Sequence, residues 1–152
     1  MSEQQTPVFT IEKIYVKDLS LELPSAPQIF LEREQPNIEV QLNTASNKVD
    51  EGIYETTITV TVTSKVKDKT MFLVEATEAG IFQIRHVPES DLDAVLGIGC
   101  PNIIFPYVRE LISDVVTRAG FPPMMLAPVN FEALYAQQKA AQTSPIIQPT
   151  TH

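Results

Sequence analysis

The sequence predicts an α+β domain, with four antiparallel strands in the first half and helices in the second. Three observations predict it. Apolar and polar residues alternate through most of Val8 to Ile84, as half-buried strands require. Beyond Pro88 the apolar spacing changes to three and four, the period of a helix face. The chain has 152 residues, the size of one domain, without a linker or internal repeat. It is read as one unit, 1–152, ordered over about 8–141 with mobile tails at 1–7 and 142–152.

The first strand is expected from Val8 to Leu23, where Phe9, Ile11, Tyr15, Leu19, Leu21 and Leu23 share one parity. A bulge is expected where Lys13-Ile14-Tyr15-Val16 disturbs the alternation. Pro24, Pro27 and Pro36 punctuate a connection too long for a hairpin, so the first two strands need not be sheet neighbours. Ile38, Val40 and Leu42 alternate with polar residues in a second strand, and a polar loop is expected from Thr44 to Gly52. The third strand, Ile53 to Lys65, sets Tyr54, Ile58, Val60 and Val62 against Glu55, Thr57, Thr59, Thr61 and Thr63. After the charged turn Lys67-Asp68-Lys69, the fourth sets Phe72, Val74 and Ala76 against Leu73, Glu75 and Thr77, with a register break at Ala79-Gly80. Four such strands form a sheet with one wet, threonine-rich face.

Pro88-Glu89-Ser90-Asp91 reads as a helix start with Ser90 or Asp91 as N-cap, and Gly97 and Gly99 as its end. A longer helix follows from about Asn102 to Ala119, carrying Ile104, Val108, Leu111, Ile112 and Val115. Pro106 should kink it or mark its real start. Gly120 suits the C′ position, and Pro122-Pro123 prevent continuation. Asn130 caps a last helix from Phe131 to about Ala141.

Nineteen acids against eleven bases give a net charge of −8, which disfavours a nucleic-acid footprint and anionic lipid and attracts basic partners. No apolar run exceeds four residues, so no membrane insertion is expected. The start lacks the basic and apolar regions of a secretory signal. Cys100 is the lone cysteine, which rules out an internal disulfide and a thiolate-rich zinc site and fits a soluble, reducing compartment.

Catalytic constellations are scarce. His86 and His152 have no cysteine or acid at metal-ligand spacing, and Cys100 reads as a small buried residue. Gly97-Ile98-Gly99 lacks the third glycine and the Lys-Ser/Thr of phosphate loops. Asp91 and Asp93 suit the dipole of a helix start. No catalytic residue, metal or cofactor is expected. Asp18, Ser20 and Glu22 share one parity, and Glu75 shares parity with Leu73. They are either a solvated face or an acidic patch seeded with a leucine. Met124, Met125, Leu126, Phe131, Leu134 and Tyr135 are either core or an adaptable apolar groove.

Ile14-Tyr15-Val16-Lys17-Asp18-Leu19-Ser20, Gly80-Ile81-Phe82, Cys100-Pro101-Asn102-Ile103-Ile104-Phe105-Pro106-Tyr107 and Leu126-Ala127-Pro128-Val129-Asn130-Phe131 resemble the SecB family of bacterial export chaperones. The resemblance runs from about Phe9 to Tyr135. It implies helices on one side of the sheet and a homotetramer built as a dimer of dimers. It further implies an ATP-independent cytoplasmic chaperone that holds unfolded secretory preproteins and delivers them to SecA. By the same resemblance Asp18, Glu22, Leu73 and Glu75 contact SecA, and Phe30, Met125, Leu126, Phe131 and Tyr135 line the client groove. Two other readings stay open at this point: an adaptor of similar build for another client, such as an antitoxin, and a small-ligand enzyme.

Overall fold

In the computed structural model, which describes residues 5–143, the alternating first half forms four long strands. They are β1 (Val8–Glu22), β2 (Asn37–Asp50), β3 (Ile53–Val66) and β4 (Lys69–Arg85). The sheet order is β1-β4-β3-β2, antiparallel throughout. β1 and β2 are therefore the two edges, and the proline-marked connection between them crosses from one to the other, as its length requires. Of the tails expected at 1–7 and 142–152, residues 1–4 and 144–152 lie outside the described residues; 5–7 lead into β1 without regular structure, whereas 142–143 belong to the last helix.

β1 pairs with β4 through two register shifts, between Ile11 and Lys13 and between Val16 and Asp18. The bulges thus flank the segment where the alternation is disturbed. Each inserts one residue, so the apolar set changes parity twice: Phe9, Ile11, Ile14, Val16, Leu19 and Leu21 all stand opposite β4 residues of one face. Tyr15, grouped with the apolar parity by pattern, instead faces the other way, opposite Ala79.

Two further expectations are corrected. Thr44 to Asp50 is strand, paired to β3 down to a short turn at Glu51-Gly52; its polarity reflects an exposed edge, with one face on solvent. Ala79-Gly80 does not break the register of β4 with β3. Gly80 is needed for space, because a Cβ there would come within 2.7 Å of the Phe82 ring.

The helices are α1 (Glu89–Ala94), α2 (Cys100–Arg118) and α3 (Phe131–Thr143). Gly97 and Gly99 do not end α1. Val95–Gly99 forms a π-helical turn that carries α1 straight into α2. Ser90 and Asp91 lie inside α1, whose cap is Pro88. Pro106 is accommodated within α2. Gly120 ends it in the left-handed region (φ +96°): its N–H donates to the Thr117 carbonyl at 3.1 Å and that of Phe121 to the Val116 carbonyl at 3.2 Å. Asn130 caps α3, its Oδ1 accepting from the Ala133 N–H at 3.0 Å.

α2 packs on β3 and β4 and closes the core. Ile58, Val60, Val62, Phe72, Val74 and Phe82 meet Ile104, Val108 and Ile112 there, all essentially excluded from water. Each such side chain contributes about 1.5–3 kcal/mol by transfer from water. The joined helical stretch Glu89–Arg118 is 30 residues long, and an 18-residue window within it, with a mean hydropathy of 1.2, reaches the length and composition of a membrane span. Its apolar character serves instead the contact with the sheet, but only 33% of that window is buried in the single chain.

Candidate interaction surfaces

The sheet face opposite the helices carries the odd-numbered residues of β3 and β4, including Thr57, Thr59, Thr61, Thr63 and Thr77. Beyond its second bulge β1 brings Asp18 opposite Thr77, Ser20 opposite Glu75 and Glu22 opposite Leu73. Asp18, Glu22, Leu73 and Glu75 therefore share one face at the β1–β4 edge, as their parities predict. The three acids are exposed and Leu73 is half-buried, so the patch presents negative charge around an apolar centre.

Further along this face lies a cluster that pattern reading missed. Glu55 of β3 is 7% exposed although most of its face is open. Its Oε2 accepts from the Tyr15 hydroxyl, and Lys17 Nζ donates to Oε1 at 2.9 Å and Oε2 at 3.0 Å. These hydrogen bonds hold the Glu55 carboxyl below its usual range, and the same contact pushes the Tyr15 phenol up to about 12. The sequence signal was slight: one acid leading a run of threonines.

On the helix side, α2 covers the middle of the sheet and leaves both edges open. Ile11, Val16 and Leu19 of β1 and Ile38 and Val40 of β2 are each over 40% exposed. Such rows on edge strands are surfaces that another chain can cover. Glu78, opposite Val16 in the ladder, points to the same side and is 4% exposed. Burial, and then the charge of Glu110 on α2, push its carboxyl up to about 6.

The five residues assigned to the client groove separate into two groups. Leu126 (5% exposed) and Phe131 (2%) are core, the latter edge-on to Phe105 at 5.8 Å between ring centroids. Both are nearly closed to solvent in the single chain. Met125 is 80% exposed beside Arg109 and Glu110 of α2. Phe30, on the crossing connection, stacks on Phe121 at 5.3 Å. Tyr135 lies at the other end of the molecule, in a cleft of about 240 Å³ lined also by Thr44, Ser46, Asp93, Gly97 and Lys139. Its hydroxyl donates to Asp93 Oδ2 at 2.7 Å, and Lys139 Nζ reaches the same oxygen at 3.1 Å. These contacts tie α3 to α1.

Cys100 is fully buried, and burial pushes its thiol up to about 12, which removes it as a nucleophile near neutral pH. His86 is exposed, and among the described residues no three histidine, cysteine or acidic side chains gather as metal ligands.

An acidic patch at the edge of a threonine-rich sheet face, and open apolar rows flanking a helix on the other side, are the broad exposed surfaces of a candidate interaction module. Comparison with known proteins makes this specific. Residues 2–142 match the family described as "SecB: Preprotein translocase subunit SecB". The chain is 65% identical over 141 residues to the protein-export protein SecB of Methylobacillus flagellatus, covering 93% of this chain and 90% of that one. It is 59% identical to its namesake in Thiobacillus denitrificans over the full length of both. Among solved structures, the SecB-like chaperone of Mycobacterium tuberculosis, in complex with a ChAD peptide from an antitoxin, shares the fold. Its TM-score is 0.66 at 16% identity, covering 80% of this chain and 90% of that one. The chain belongs to the SecB family, whose members are export chaperones and not enzymes.

Proposed function

We propose that this chain is an ATP-independent chaperone that holds unfolded secretory preproteins in the cytoplasm and delivers them to SecA. The observation that carries the reading is the pairing of family membership with two separate surfaces, one apolar and one acidic. Phe30, Met125 and Tyr135 are the groove residues open to a client. Leu126 and Phe131 set the shape of the surface above them. Individual contacts with an extended client are weak, and several engaging at once gain by effective concentration while each still releases. A folded protein hides its apolar segments and should not compete.

Asp18, Glu22, Leu73 and Glu75 are proposed as the SecA contact, away from the client side. Assembly as a homotetramer, a dimer of dimers, is supported by the open apolar rows on β1 and the partly uncovered helical stretch 89–118. Four copies at −8 each carry 4 × −8 = −32 formal charges, which favours encounter with basic segments. The mycobacterial relative holds a peptide from an antitoxin. The 59–65% identity to export proteins favours secretory clients for this chain. A refolding assay tests the proposal. Without nucleotide, the chain should arrest the refolding of a slow-folding precursor, and unchanged refolding would refute it.

A further inference from the structure

We propose that Glu55 is a positioning residue: by holding Tyr15 and Lys17 it fixes the second bulge of β1 and so delivers Asp18 and Glu22 to the face that carries Leu73 and Glu75. The inference deepens the proposed SecA contact and rests on that reading for its functional consequence.

The geometry is specific. Glu55 is on β3 and its partners are on β1, with β4 between them. Its ladder partner on β4 is Ile81, while Tyr15 stands opposite Ala79, whose small side chain leaves room for the span. Lys17 is the residue that has no partner on β4, because the register jumps from Val16↔Glu78 to Asp18↔Thr77. The ammonium of that extra residue is the one held by Glu55.

Closing the bulge would shift everything after Val16 by one place. Asp18 would then stand opposite Ala76 and Glu22 opposite Phe72, on the side where α2 packs, while Leu19 and Leu21 would emerge on the acidic face. Neither set suits its new surroundings, and the Glu55 cluster keeps the extra residue in place. It has a second effect. Lys17 directly precedes Asp18, and an ammonium bound to Glu55 is kept from neutralising the patch.

Cross-linking on the full chain tests this. The native register places Ser20 opposite Glu75, and the slipped one would place it opposite Val74. Facing Cα atoms in an antiparallel pair lie within disulfide reach. Ser20→Cys with Glu75→Cys should therefore oxidise in the parent chain, whereas Ser20→Cys with Val74→Cys should not. Adding Glu55→Leu should cut the first yield roughly tenfold and raise the second. Adding Glu55→Gln, which keeps hydrogen-bonding oxygen and nitrogen at that place, should largely preserve the native pair. Equal 20–75 cross-linking with and without Glu55→Leu would overturn the inference. With native cysteines only, Glu55→Leu should weaken SecA binding roughly tenfold. The core variant Val60→Ala, a control for lost stability, should leave that binding intact. Equal losses in the two variants would reduce Glu55 to a stability effect and also overturn it. If the parent chain fails to bind SecA at all, the SecA reading falls, and the cross-linking result decides the positioning role by itself.

Discussion

The ring of Tyr135 lies so close to Gly97 that a Cβ added to the glycine would come within 2.5 Å of the ring's Cδ2. The π-helical turn presents bare backbone at that place, and α3 docks its tyrosine there, with Asp93 and Lys139 completing the contact. Gly97→Ala should push Tyr135 off and loosen α3 while leaving the sheet and α2 in place. Overpacking of this kind costs roughly 1–3 kcal/mol. Hydrogen exchange should therefore speed up in 131–143 and not in β3 or β4; uniform acceleration would show that the contact is not local.

Glu78 should make the folded state less stable as pH rises. Its carboxyl is raised from an ordinary value of 4.5 to about 6 in the folded chain, by burial first and Glu110 second. Below about 4.5 it is protonated whether folded or unfolded, and it has no effect on stability. As pH climbs from there to about 6, the unfolded chain ionises first, so folding is penalised, and above about 6 the penalty is complete. Glu78→Gln should therefore raise the urea midpoint at pH 7 and leave it nearly unchanged at pH 4. The opposite ordering would mean that the ionised form is favoured.

Leu126 and Met125 are neighbours with opposite expectations. Leu126 is 5% exposed and Met125 80%. Leu126→Ala should cost about 2–4 kcal/mol of stability, the loss for a buried leucine. Met125→Ala should leave stability within about 0.5 kcal/mol, as for exposed sites. It should weaken client holding. Chemical denaturation and a refolding-arrest assay separate the two, and equal destabilisation would contradict the burial difference.

Glu75→Lys reverses a charge in the acidic patch without touching the helix side. Binding of SecA should fall roughly tenfold or more, while client holding stays near the parent level. Loss of both together, with a smaller particle by light scattering, would point to collapse of the assembly instead.

Much of this fold was legible because the sheet has one dry face. Ile58, Val60 and Val62 against Thr59, Thr61 and Thr63 fix the orientation of β3, and Phe72, Val74 and Ala76 do the same for β4. Edge strands obey weaker rules. In β1 two bulges moved Tyr15 to the wet face, and in β2 the polar run Thr44 to Asp50 hid a paired strand. Gly97 reads as a helix end because local propensity says nothing of a tyrosine arriving from 38 residues downstream; Gly99 has no such neighbour and reads as one from propensity alone. That Asp18, Ser20 and Glu22 share an exposed face was legible from parity, since all three follow the second bulge. Glu55 and Glu78 were not, because what distinguishes them is their partners, or the want of them, across other strands and α2.

The central claim is that the chain distinguishes unfolded from folded clients, and titration calorimetry tests it most directly. The chain, without nucleotide, would be titrated with one secretory precursor in its unfolded form and, separately, in its folded form. The account predicts tight binding of the unfolded form with a negative heat-capacity change, the mark of apolar burial, and no heat from the folded form. Equal binding of both forms, or of neither, would contradict it.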